Sequence, residues 1–155
     1  MKIKILIADD YKMMRDDLCS LLERQTNMTV VGEAENGLKA IQMAQKLQPD
    51  VIVMDIRMPE LNGIEATRQI LADLPKTKII ALSVYSDKRY ISGMLKAGAS
   101  GYLLKKSVFD EIVDAIGKMM NHQKNDLPII SKALKTVYSN YFQKVNMPAA
   151  SFFPA

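Results

Sequence analysis

Five polar residues close apolar runs in this chain, and their types fit one kind of chemistry. Asp9 and Asp10 follow Ile5-Leu6-Ile7-Ala8, and Asp55 follows Val51-Ile52-Val53-Met54. Ser83 closes Ile79-Ile80-Ala81-Leu82, and Lys105 comes directly after Gly101-Tyr102-Leu103-Leu104. Three carboxylates gathered at one place repel one another unless a cation neutralises them. Oxygen-only ligation without His or Cys selects Mg2+ or a similarly hard ion. Mg2+ keeps several waters and so leaves room for phosphate oxygens. A carboxylate can attack phosphorus to give an aspartyl-phosphate. An ammonium and a small hydroxyl beside it can hold the phosphoryl oxygens.

These groups meet only if the elements bring them to one edge. Lys2–Ala8 reads as a strand, the later part buried on both faces. Met14, Leu18, Leu21 and Leu22 repeat at helical spacing over 11–24. A second strand runs over 28–35, and Asn36-Gly37 opens a helix that ends before Pro49. A third strand spans 50–55. A loop with Pro59 and Asn62-Gly63 then leads to a helix through about Leu74. Lys78–Ser83 is a fourth strand, 86–97 a helix stopped by Gly98, and Gly101–Leu104 a fifth strand. Ser107 starts a last helix with Val108, Ile112, Ile116 and Met119 on one face, and Asp110 three residues on suggests a capping box. Strands alternating with helices give a parallel sheet with right-handed crossovers. Such a sheet binds ligands beyond the carboxyl ends of its strands, where the five polar residues stand.

Composition agrees with one α/β domain and a short appendage. The chain has 155 residues, 48% apolar and 25% charged, enough to bury a core without staples. The single cysteine, Cys19, excludes an internal disulfide and a cysteine-rich metal site, and suits a reducing compartment. No apolar run approaches the roughly 20 residues of a membrane span, and Asp9-Asp10 cut the N-terminal run too short for a signal peptide. A cytoplasmic location without membrane contact is expected. Of the net charge of +4, three units lie in 121–155, which carry four lysines and one aspartate. So few charges read as a solvated face rather than a nucleic-acid surface.

Taken together and in order, these motifs resemble the receiver domain of bacterial two-component response regulators over residues 3–120. The motifs are Leu6-Ile7-Ala8-Asp9-Asp10, Asp55-Ile56-Arg57-Met58-Pro59-Glu60-Leu61-Asn62-Gly63, Ser83, and Gly101-Tyr102-Leu103-Leu104-Lys105. Ala97–Lys105 is most similar to the NarL/FixJ-type (LuxR-type) transcriptional regulators. The resemblance implies a flavodoxin-like five-stranded sheet of order 2-1-3-4-5 with helices on both faces. It implies phosphorylation of Asp55 by a sensor histidine kinase, with Mg2+ held by Asp9, Asp10, Asp55 and the backbone carbonyl of Arg57. Ser83 and Lys105 would bind the phosphoryl group. Tyr102 matches an aromatic switch position, whose ring turns inward as Ser83 moves toward the phosphate. The fourth helix, fifth strand and fifth helix would then change, with a homodimer on phosphorylation. The only turnover implied is Mg2+-dependent self-phosphorylation and autodephosphorylation. In one departure, Lys106 stands where many receivers have proline after the lysine, a proline that regulators of that subgroup often lack too.

Taken singly, each residue has a plainer use. Asp9 or Asp10 could cap the first helix, Asp55 could be a turn residue, and Ser83 a small strand end. Lys105 could be a surface lysine, Tyr102 core packing, and Arg57 a solvated side chain. His122, the lone histidine, is given no role. Two other functions compete with the switch. A Mg2+-dependent phosphohydrolase needs a second Asp two residues after the nucleophile, where Arg57 stands, and a specificity cap. A pseudo-receiver would act by protein contact alone.

Residues 121–130 read as a linker. Residues 131–145 read as one interdomain or linker helix capped by Ser131, and 146–155 as a loose tail. Only 35 residues follow Met120, too few for a linker and a helix-turn-helix output domain of about 65 residues. DNA contact would therefore come through an output domain outside this chain, unless the protein is a stand-alone receiver.

Overall fold

A computed structural model describes residues 1–121 and 128–138. The strands are β1 (Ile3–Ala8), β2 (Met28–Ala34), β3 (Val51–Asp55), β4 (Lys78–Ser83), β5 (Gly101–Leu104) and β6 (Ile129–Ile130). The helices are α1 (Lys12–Glu23), α2 (Gly37–Leu47), α3 (Gly63–Asp73), α4 (Lys88–Lys96), α5 (Val108–Asn121) and α6 (Lys132–Val137). All strand pairs are parallel, in the order β2-β1-β3-β4-β5-β6.

Strand alternation divides the core into two layers. Ile5, Ile7, Val51, Val53, Ile80 and Leu82 pack with Leu18 and Leu22 of α1 and with Val108, Ile112 and Ile116 of α5. Leu6, Ala8, Ile52, Met54, Ile79 and Ala81 pack on the other face, with Ala40 and Ala44 of α2, Ile70 of α3, and Ile91 and Met94 of α4. Because consecutive strand residues point to opposite faces, a continuous apolar run fills both layers. Each fully buried Leu or Ile contributes about 1.5–3 kcal/mol. The chain leaves β1 toward β2 on one side and returns to β3 on the other. That reversal opens a crevice beyond the carboxyl ends of β1 and β3.

The expected strand order 2-1-3-4-5 is present, and a sixth strand extends it. β6 falls inside the segment read as a linker over 121–130 and pairs Gly101 with Ile129 and Tyr102 with Ile130. Two isoleucines after Pro128 are too short a run to reveal a strand, and their partner lies 28 residues earlier. Two expected caps also differ. Ser107 belongs to a 3-10 turn, Lys105–Ser107, and donates to Glu111 Oε1 at 2.8 Å rather than forming a box with Asp110. Ser131 stands at the start of α6 without capping it. Of the helix expected over 131–145, residues 132–137 are helical. Residues 139–155 and His122 lie outside the described residues.

Candidate phosphorylation and metal site

The site is built from strand ends inward. Oxygens of Asp9, Asp10 and Asp55 lie within 4.8 Å of one another. Asp9 is fully buried and Asp55 is 5% exposed, while Asp10 faces solvent. Asp9 Oδ1 accepts from Tyr11 N–H at 2.8 Å, ahead of α1, so it shapes the turn and does not cap the helix. The position that begins α1 is Tyr11, which has no side-chain cap. Asp55 Oδ1 accepts from Ile56 N–H at 2.9 Å.

Lys105 reaches across from β5. Its Nζ is 3.0 Å from Asp9 Oδ2 and 3.5 Å from Asp55 Oδ2. Asp9 Oδ2 is buried, and apart from that ion pair it receives no well-directed hydrogen bond. An acceptor so placed has spare capacity for a cation. Burial, then the charge of Asp9, push the Asp55 carboxyl up to about 7, with Lys105 opposing. Burial alone would lower the Lys105 ammonium, but Asp9 and Asp55 outweigh it and raise it. Three carboxylates, one of them exposed to solvent, with no His or Cys, make a donor set that suits Mg2+.

Two glycines let the loop after Asp55 close over this edge. The Gly63 amide donates to the Ile56 carbonyl, and a Cβ there would lie 2.0 Å from the Asp55 carbonyl oxygen. Gly37 donates to the Leu61 carbonyl at 3.1 Å, where a Cβ would lie 2.1 Å from that oxygen. Asn36 Oδ1 and Asn62 Oδ1 cap α2 and α3 by accepting from Lys39 and Glu65 amides. The Asn-Gly pairs thus combine a cap with a close backbone approach.

Ser83 and Tyr102 are joined through Tyr85. Ser83 Oγ, fully buried, accepts from Tyr85 N–H at 2.9 Å, which leaves its own proton to donate. Tyr102 Oη donates to the Tyr85 carbonyl at 2.7 Å. The Tyr102 ring is inward and fully buried, and burial pushes its phenol up to about 12, so it remains a donor. Arg57 is exposed. Its Nη1 donates to Tyr85 Oη at 3.3 Å and its guanidinium carbon lies 5.8 Å from that ring's centroid. The Lys105-Lys106 peptide is trans.

The structure therefore brings Asp9, Asp10, Asp55 and Lys105 together, with Ser83 and Tyr102 linked at the next strands. Sequence reading missed Arg15, whose Nη1 donates to the Asp9 carbonyl at 2.7 Å while Nε donates to Glu33. It also missed Tyr85 and Glu111. None of these follows an apolar strand run, so nothing in the local pattern marks them.

The fold and site together define a parallel α/β module with an acidic cluster at the carboxyl edge of its sheet, and comparison with known proteins supplies its family. The model of the response regulator receiver domain matches residues 5–117. The chain belongs to this family. It is 41% identical over 115 residues to the transcriptional regulatory protein DegU of Brevibacillus brevis, covering 74% of this chain and 49% of that protein. It is 44% identical over 114 residues to LiaR of Bacillus subtilis, covering 74% and 54%. The structure of a LuxR-family two-component response regulator from Aurantimonas sp. SI85-9A1 superposes with a TM-score of 0.79 at 27% identity, covering 94% of this chain and 99% of that one. The chain spans about half the length of the curated relatives it matches. It is thus the receiver domain of a two-component response regulator, with LuxR-type regulators among its relatives. Among the described residues no helix is long and apolar enough to cross a membrane.

Proposed function

We propose that this receiver accepts a phosphoryl group on Asp55 from the phosphohistidine of a sensor kinase and passes the change to a transcriptional output. The observation that carries this reading is the meeting of three carboxylates within 4.8 Å, with Lys105 bridging Asp9 and Asp55. An Asp55 oxygen attacks phosphorus as the P–N bond breaks, and the electron pair leaves on the imidazole nitrogen. Mg2+, held by Asp9, Asp10, Asp55 and the Arg57 carbonyl, would supply charge neutralisation to the transferring oxygens. Lys105 exchanges its carboxylate partners for a phosphoryl oxygen, and Ser83 donates its free proton to another.

Phosphorylation adds about one to two negative charges and strong acceptors. Ser83 and Lys105 gain phosphoryl partners only in that state, so the group biases a two-state equilibrium. The inward Tyr102, bonded to the Tyr85 carbonyl next to Ser83, ties β5 to that choice. Output through α4, β5 and α5 would reach a DNA-binding domain outside this chain, with homodimerisation as an accompanying step and the cytoplasm as the setting. Arg57, engaged with Tyr85, occupies the place where a phosphohydrolase carries its acid, so turnover of external phosphomonoesters is not expected.

Intact mass spectrometry after incubation with Mg2+ and acetyl phosphate tests this reading. A gain of about 80 Da, for phosphate on a carboxylate, that needs Mg2+ and is lost in Asp55→Asn is the expected result. No gain in folded protein beside a reactive control receiver would favour the pseudo-receiver.

A further inference from the structure

We infer that residues 128–138 form a strap across the α4–β5–α5 face, coupled to Tyr102 and latched by Glu111, through which the switch signal leaves the domain; this rests on the phosphorylation reading above. The strap binds the outer edge of the switch strand, opposite β4. Ile129 N–H donates to the Ser100 carbonyl at 2.9 Å and Ser131 N–H to the Tyr102 carbonyl at 3.0 Å. Ser131 Oγ accepts from Leu104 N–H at 2.9 Å. Ser131, Ile130 and Leu134 are all essentially buried, and the last two share the core layer of Tyr102, Ile91 and Met94. At the α4 side, the Lys88 ammonium lies 5.5 Å from the Tyr138 ring centroid.

Glu111 is the latch on the α5 side. Its Oε1 accepts from Ser107 at 2.8 Å and from Ser131 Oγ at 2.5 Å, and its Oε2 accepts from Lys132 N–H at 3.1 Å. Ser107 closes the 3-10 turn that begins with Lys105. One carboxylate therefore ties the strap to the turn carrying the phosphoryl-binding lysine. The Ser131 hydroxyl serves this network instead of capping α6, which explains its missing cap.

The geometry also gives a direction. Tyr102 pairs with Ile130 in register, and the way out for its ring is past the β5 edge, where Ile130 and Leu134 stand. An outward ring competes with the docked strap, and an inward ring is compatible with it. Phosphorylation draws on Ser83 and Lys105 and favours the inward ring, so it holds the strap down. The position of α6, and of whatever chain follows it, then reports the state of Asp55.

Hydrogen–deuterium exchange on the full chain tests this, with Mg2+ and beryllofluoride as the phosphoryl mimic. In wild type the mimic should slow exchange of the Ile129 and Ser131 amides several-fold, together with the Asp55–Gly63 loop. Glu111→Gln should speed strap exchange by about tenfold without the mimic, as expected for losing a charge-assisted network. It should abolish the strap's response while the Asp55–Gly63 loop still responds. Ser131→Ala should do the same, guarding against a fold defect peculiar to one variant; unchanged β1 and β3 protection shows that the fold is intact. A strap indifferent to the mimic in wild type while the loop responds, or to both substitutions, overturns the inference and leaves the phosphorylation reading standing. A loop that fails to respond overturns that reading and the coupling with it.

Discussion

Asp55 holds its proton to higher pH than an ordinary carboxyl. Burial and the neighbouring Asp9 raise its pKa from 3.8 to about 7. Between those values the folded chain holds a proton that the unfolded chain has released, so the group's contribution to stability falls as pH rises through that window. The cost is complete above pH 7 and absent well below 4. Asp55→Asn should therefore stabilise the metal-free protein by about 1–3 kcal/mol at pH 8, and by much less at pH 5. Urea unfolding of both proteins at the two pH values checks this; an equal gain at both would contradict the buried-charge account. Asp9, Asp10, Asp55, Ser83 and Lys105 were legible because each follows an apolar run that ends at one sheet edge. Arg15 and Glu111 were not, because each finds its partners only through tertiary packing: Arg15 meets Glu33 18 residues away, and Glu111 meets Ser131 20 residues away.

The elements show which local signals survive folding. Five strands and five helices could be read from periodicity, with ends displaced by a residue or two, because both core layers demand unbroken apolar runs. The Asn-Gly pairs at 36–37 and 62–63 marked helix starts correctly, and the structure adds the reason for the glycines. At Gly63 the obstacle to a side chain is the Asp55 carbonyl itself, which cannot yield without moving the site. Gly63→Ala should cost about 2–4 kcal/mol and perturb the Asp55 loop, measurable as a lower urea midpoint with altered exchange at residues 55–63. Serines were the less readable signals. Ser107 and Ser131 both stand where caps are expected, yet both hydroxyls donate to Glu111, and Ser131 Oγ accepts from the Leu104 amide across the strand instead of from its own helix.

For the whole molecule, the sheet continues past residue 120 into β6. A receiver ending at 120 would leave β5 as an open edge and expose the surface that Ile130, Ser131 and Leu134 cover. Removing residues 128–155 should leave the sheet folded but less stable by about 3–6 kcal/mol, the order expected for two buried aliphatic side chains. Thermal and urea unfolding of the shortened chain beside the full one would show it; equal stability would mean that the strap rests on the sheet without supporting it. The sequence hid this because β6 is two residues long and its worth lies in what it covers.

Lys105 gives the site a resident cation. Its ammonium, bonded to a main chain that α5 and β5 fix in place, cannot be diluted away, chelated or starved. Without a bound divalent cation, the carboxylates of Asp9 and Asp55 still have a counter-ion at hand. A metal ion entering there would compete with an incumbent rather than rescue an unstable pocket, and how tightly one tethered lysine holds its two aspartates would bear on its affinity.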